Sequence, residues 1–233
     1  MNSLTEELNL SSDPVRATNL ARFFKTGLGE YGEGDKFIGL TMPQIRAIAK
    51  KYRHYSIDEL SKSLSSPIHE HRMASLVILA DTFKKRDDSG KRKSYELYLS
   101  GLADGYINNW DLVDVTAPHV VGEYVFEHSP DILYKLASST DVWERRTAVL
   151  ASSAFLKRGN ATHTIKLCEM LLNDKHDLMH KAVGWFLREA GKRVDEKILT
   201  DFLDIHSKQM PRTMLRYSIE RLSPEQKAHY MLR

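Results

Sequence analysis

The sequence predicts an all-α protein built as a helical-repeat solenoid, and three observations lead there. Signals for helix starts recur along the whole chain, strand-like alternation bounded by turns is absent, and one short pattern returns at a period of 35 to 37 residues. Periods of that size are the mark of stacked helical hairpins.

The starts come first. Asp13-Pro14, Ser66-Pro67, Ser129-Pro130 and Ser223-Pro224 each set a capping side chain ahead of a proline, which is tolerated in a first turn because its missing N–H has no helical partner there. Thr41 with Gln44 and Ser56 with Glu59 have capping-box spacing, so helices should begin near Met42 and Ile57. Further helices are read over roughly 91–103, 110–127, 141–158, 161–173, 175–190, 194–206 and 212–221. Pro118 removes the amide that would bond the Asp114 carbonyl, so the 110–127 helix should kink or restart near Thr116. The connections are short, and neighbours joined by short links pack antiparallel. The exception runs from Gly27 to Leu40, a long loop carrying Gly27, Gly29, Gly32, Gly34 and Gly39.

The chain of 233 residues is 42% hydrophobic, enough to bury a full core, and is read as a single domain over 1–233. With 34 Lys and Arg against 31 Asp and Glu, the formal charge of +3 permits nucleic acid without demanding it. Cys168, the one cysteine, lies in an apolar run and reads as a small buried hydrophobe, so no disulfide forms within the chain. Met1 to Leu10 is polar and acidic, without the apolar core of a leader, and no apolar run is long enough for a bilayer. These features predict a cytoplasmic location, nucleoid-associated in a bacterium, with no membrane partner.

Arg72, Asn109, Arg146, Lys181 and Arg216 align as equivalent residues of successive repeats, separated by 37, 37, 35 and 35 residues. Equivalent positions line up along one face of a solenoid, so these residues predict a basic ladder able to track phosphates. The plainer reading is that each cation solvates the rim of its own helix.

Three local patterns invite chemistry. Gly27-Leu28-Gly29-Glu30-Tyr31-Gly32 spells a dinucleotide fingerprint, but a helix precedes it and loop follows, so no nucleotide cofactor is assigned. His176 and His180 are spaced like two metal ligands, yet no third ligand completes a set, and no metal is assigned. In Asn108-Asn109-Trp110-Asp111-Leu112-Val113-Asp114, an indole and a carboxylate lie one turn apart on one helix face beside the backbone break at Pro118. Spacing alone favours the plainer reading, with Trp110 in the core and Asp114 capping the next helix. Two further segments, Trp143-Glu144-Arg145-Arg146-Thr147-Ala148 and Lys181 to Glu189 with Trp185, set a tryptophan within about a turn of a ladder residue.

In these segments the chain resembles the DNA alkylation repair enzyme family of the AlkD type, over roughly Leu20 to Leu222. Gly32-Glu33-Gly34-Asp35-Lys36-Phe37-Ile38-Gly39 and Pro43-Gln44-Ile45-Arg46 carry the likeness as well. The resemblance implies a HEAT-like helical repeat solenoid with a concave basic groove that holds double-stranded DNA and excises N3- and N7-alkylated purines. It implies that Asp114 is the catalytic aspartate, that Trp110 and Trp185 pack on the lesion's deoxyribose, and that Arg146 holds backbone phosphate. Lys181 and Arg188 fall beside that site, and Arg72 and Arg216 extend the phosphate-binding ladder. The acidic segment before Asp13, with Glu6 and Glu7, departs from the family by being short where relatives place more helix. Two rival functions have different requirements: a non-catalytic DNA-binding relative needs the ladder but not Asp114, and a protein-interaction scaffold needs neither.

Overall fold

Capping residues decide where the helices begin. The computed structural model describes residues 3–232, and the chain divides into two compact units, Met1–Val120 and Val121–Arg233. The first contains α1 (Leu4–Leu10), α2 (Pro14–Phe23), α3 (Met42–Ala49), α4 (Ile57–Leu64), α5 (His69–Phe83), α6 (Asp88–Ala103) and α7 (Trp110–Thr116). The second contains α8 (Val121–Glu127), α9 (Asp131–Ala137), α10 (Val142–Ala151), α11 (Ser153–Leu156), α12 (Thr162–Met170), α13 (Asp177–Arg193), α14 (Glu196–His206), α15 (Arg212–Ser218) and α16 (Pro224–Met231). Among the described residues there is no strand, only an isolated bridge between Lys36 and Ile68, and no helix is long and apolar enough to cross a membrane.

Most of the expected starts are found. Asp13 accepts from the Arg16 amide at 3.0 Å, and Ser56 and Ser223 each sit in a capping box with Glu59 and Gln226. Pro67 and Pro130 lie ahead of α5 and α9 and not in their first turns, and three further boundaries differ from expectation, each for a local reason. Ser3 and Glu6 form a further capping box that starts α1 inside the short acidic segment before Asp13. Asp87 caps the Gly90 amide at 2.8 Å, so α6 begins before residue 91. The helix expected over 141–158 divides at Ser152, whose hydroxyl turns to the Val149 carbonyl at 2.6 Å and to Thr164 at 2.8 Å. The break after Thr116 is where Pro118 places it: the amides of His119 and Val120 both bond the Thr116 carbonyl at 3.0 Å.

In the first unit α5 is the axis. Every residue from His69 to Leu79 is buried, which fits a sequence with no polar face after Arg72, and α3, α4 and α7 pack around it. Its polar first turn is buried too, and this turn secures the long loop. The His69 amide bonds the Lys36 carbonyl at 2.8 Å, and the Glu70 carboxylate accepts from the amides of Ile38, Gly39 and Leu40, the Gly39 bond being 2.8 Å. The loop can come this close because of Gly39, which has φ of 89° and whose missing Cβ would lie 2.1 Å from the Asp13 carbonyl oxygen. In the second unit α13 plays the corresponding part, with α10, α12, α14 and α15 against it.

Gly39→Ala therefore combines a left-handed backbone with a clash against α2. We expect it to lower unfolding stability by about 2 kcal/mol or more. Gly105, with φ of 76° and open space at its Cβ position, provides the comparison: Gly105→Ala should lose only about 1 kcal/mol. Urea denaturation of the two variants tests this, and equal losses would show that the contact with α2 contributes nothing.

Candidate active site

Helix α7 is short, and its orientation is set at its N-terminus. Asn109 is the N-cap, its Oδ1 accepting from the Trp110 amide at 2.9 Å. Trp110 and Asp114, at i and i+4, share one face of the helix and are both half-buried. Phe24 stacks on the Trp110 ring at a centroid distance of 5.4 Å, and Phe23 meets it edge-on at 6.1 Å. Phe23 is itself 64% exposed, so the indole lies between a buried aromatic backing and an aromatic residue open to solvent.

Behind this shelf lies a buried chain of charges. His69 Nδ1 is 2.8 Å from Asp35 Oδ2, and His69 Nε2 is 2.8 Å from Asp111 Oδ2. The other oxygen of Asp35 receives the Arg72 guanidinium, which also donates to the Ser66 carbonyl at 3.0 Å and to Asn108 at 3.1 Å. Phe37 stacks on the imidazole at 4.6 Å, and Phe24 lies tilted to it at 5.2 Å. Side-chain exposure is 1% for Asp35, 3% for His69 and 14% for Asp111. Burial alone would strip the proton from His69, but Asp111 and Asp35 more than reverse that and push its pKa up to about 9. Burial likewise opposes the Asp35 charge, and His69 and Arg72 together hold its pKa below the usual carboxylate range. The neighbouring His71 goes the other way, to about 4, because it is buried and faces Arg72. It bonds Ser66 at 2.9 Å and Asn9 at 3.0 Å, tying α1 to α5.

In the second unit, Lys181, Trp185 and Arg188 lie along one face of α13, at spacings of four and three residues. Trp185 is half-buried and meets Phe186 edge-on at 5.3 Å. Lys181 pairs with Asp177 at 2.6 Å, and Arg188 pairs with Glu220. Arg146 on α10 is buried and donates to the Leu178 carbonyl at 2.8 Å, at the start of α13. Arg216 on α15 is exposed.

The expected ladder does not form as a stripe of surface cations. Arg72, Asn109 and Arg146 are 3%, 0% and 5% exposed, and of the five positions only Lys181 and Arg216 present substantial surface. Arg72 in particular has its guanidinium engaged by Asp35. At Arg72 and Arg146 the repeat register marks inward positions, and at Arg72 the cation closes a buried network. Sequence reasoning missed His69, its bond to Asp35 and its bond to Asp111. His69 and Arg72 share an i, i+3 face at the start of an otherwise apolar helix, which is an unusual place for two cations and a usable signal. Two other readings resolve simply. His176 caps α13, its Nδ1 accepting from the Leu178 amide at 3.2 Å, while His180 bonds the Asp174 carbonyl at 2.6 Å. Cys168 is fully buried, and desolvation drives its thiol pKa far up, so it stays a neutral hydrophobe.

Comparison with known proteins gives a consistent result. A family model described as DNA alkylation repair enzyme matches residues 4–222. A solved structure from Enterococcus faecalis, described as a predicted DNA alkylation repair enzyme, superposes with a TM-score of 0.70 at 15% identity. The match covers 91% of this chain and 97% of that one, a likeness of fold. No curated protein matches significantly.

The buried imidazolium makes stability depend on pH with a definite sign. Its pKa is raised from 6.5 when unfolded to about 9, so its contribution is complete below about pH 6.5 and is lost as pH rises through about 9. We expect unfolding free energy to fall by on the order of 3 kcal/mol across that window, and His69→Gln to remove most of the slope. A wild-type urea series flat between pH 6.5 and 9 would refute the assignment of charge.

Proposed function

The chain belongs to the DNA alkylation repair enzyme family, and from that premise we propose that it is a DNA glycosylase hydrolysing the N-glycosidic bond of cationic N3- and N7-alkylated purines in duplex DNA. The observation that carries this reading is the pairing of Trp110 with Asp114 on one half-exposed helix face whose start is fixed by Asn109 and by the His69 network.

The chemistry suits a single carboxylate. A purine alkylated at N3 or N7 already bears positive charge, so the bond to the sugar breaks without a general acid protonating the leaving base. What develops is an oxocarbenium-like sugar. Asp114 stabilises that charge and orients the attacking water, and the indole face of Trp110 favours a cationic sugar over a neutral one. Water adds at the anomeric carbon as the C–N electron pair leaves with the base, giving the free purine, an abasic sugar and a proton. By family resemblance, Trp185 supplies a second aromatic contact to the deoxyribose.

The basic residues of the second unit bind the DNA backbone in this reading. Lys181 and Arg188 are held by Asp177 and Glu220, which are 59% and 62% exposed. The Lys181–Asp177 pair is exposed on both sides, and such pairs are held by about 1 kcal/mol or less, so a phosphate can displace Asp177 at small cost; Arg188 is largely buried between Glu220 and Glu189. Arg216 is exposed and able to meet a phosphate directly. Arg146 fixes the first turn of α13 through the Leu178 carbonyl, and its phosphate contact follows from family resemblance alone. Arg72 stays with Asp35.

The test is base release. Wild type should liberate 7-methylguanine and 3-methyladenine from methylated duplex DNA, and Asp114→Asn should slow release by about 100-fold, the range seen on removing one electrostatic stabiliser of a transition state. Equal rates in the two proteins, or no release by wild type, would contradict the reading.

A further inference from the structure

The Asp35–His69–Asp111 chain ends one turn from Asp114. Asp111 and Asp114 are at i and i+3 on α7, which brings their Cβ atoms to about 5–6 Å of each other. Two ionised carboxylates at that distance repel each other, and together they repel the phosphates of any duplex that approaches. We propose that His69 is a positioning residue that neutralises Asp111, so that α7 can present the Asp114 carboxylate to DNA without a second negative charge beside it.

With both carboxylates ionised, hydrogen-bond chemistry requires the charge. Both ring nitrogens of His69 lie 2.8 Å from carboxylate oxygens. An ionised carboxylate only accepts, and a neutral imidazole has one N–H, so both contacts are bonds only when the ring carries two protons. The charges then balance: two carboxylates, Asp35 and Asp111, face two cations, His69 and Arg72. Arg72 takes one oxygen of Asp35 and leaves the imidazolium to serve Asp111. The other charged neighbour, Glu70, is turned to the amides of Ile38, Gly39 and Leu40. The nearby His71 is bonded to Ser66 and Asn9. With Phe24 and Phe37 against the ring little water intervenes to screen the interaction, so its effect reaches Asp111 nearly undiminished.

The inference rests on the excision reading for its catalytic consequence but has a readout of its own in duplex affinity. Wild type, His69→Gln, Asp111→Asn and the double variant are compared for 7-methylguanine release and for affinity toward a short duplex at low salt, each after circular dichroism confirms the helical fold. We expect His69→Gln to lower release about 10-fold and affinity several-fold, and Asp111→Asn in the same background to restore both, because the double variant is again neutral at that point. A double variant no better than His69→Gln would overturn the proposal, since a merely structural role predicts accumulated damage. Should His69→Gln fail to fold, a pH series on wild type decides instead. Affinity, corrected for the same series on Asp111→Asn, should fall as pH passes about 9 and His69 loses its proton; parallel profiles for the two proteins would overturn the proposal. If wild type binds DNA but releases no base, the excision reading fails, and the affinity cycle alone confirms or refutes the role of His69 by the same criterion.

Discussion

A protonated histidine held between two carboxylates in a nearly dry interior is the constraint on which the first unit depends. Each of these charges would be destabilising if buried alone, by several kcal/mol. Asp35 accepts from both Arg72 and His69, and His69 passes on to Asp111, so no member can leave without stranding another. The network joins three pieces of chain distant in sequence: the glycine-rich loop through Asp35, the first turn of α5 through His69 and Arg72, and α7 through Asp111. A hydrophobic trio could fill the same space, but it would not fix the register of the loop or the rotation of α7. Charged groups with one satisfying arrangement do both.

The chemistry of α7 follows from that rotation. The helix has seven residues, Asn109 caps its start and Pro118 ends it early, so its own hydrogen bonds hold it weakly. Asp111 bonded to His69 and Leu112 and Val113 in the core leave Trp110 and Asp114 on the half-exposed side. A site that must stabilise a developing cation benefits from groups whose orientation is settled before the substrate arrives. Here the orientation of Trp110 and Asp114 is settled by residues behind them, through the Asn109 cap and the bond from His69 to Asp111. In the second unit the equivalent firmness comes from packing around α13, where Arg146 bonds the first turn and Lys181, Trp185 and Arg188 project from one face.

How much of this was legible in the sequence depends on the range over which each feature is decided. Caps and the proline break after Thr116 are decided within a few residues, and they were readable. The start of α1 was equally local, in the capping-box pair Ser3 and Glu6, but the segment was read only as short and acidic. The Trp110–Asp114 pair was visible as a one-turn spacing, and family resemblance, not spacing, distinguished it from a core residue beside a cap. The repeat ladder shows the limit of periodicity: a register says which positions are equivalent and not which way they face, and Arg72 and Arg146 face inward. The His69 network had no local signal beyond a histidine and an arginine opening an apolar helix, because its partners are 34 and 42 residues away.

The central claim is that the buried imidazole is charged at neutral pH, and its ring nitrogens report this directly. In a ¹⁵N-labelled sample, His69 should show two equivalent protonated imidazolium nitrogens at pH 7.5 and keep them until pH nears 9. A single neutral tautomer at pH 7.5, titrating near 6.5 like a free histidine, would contradict the account.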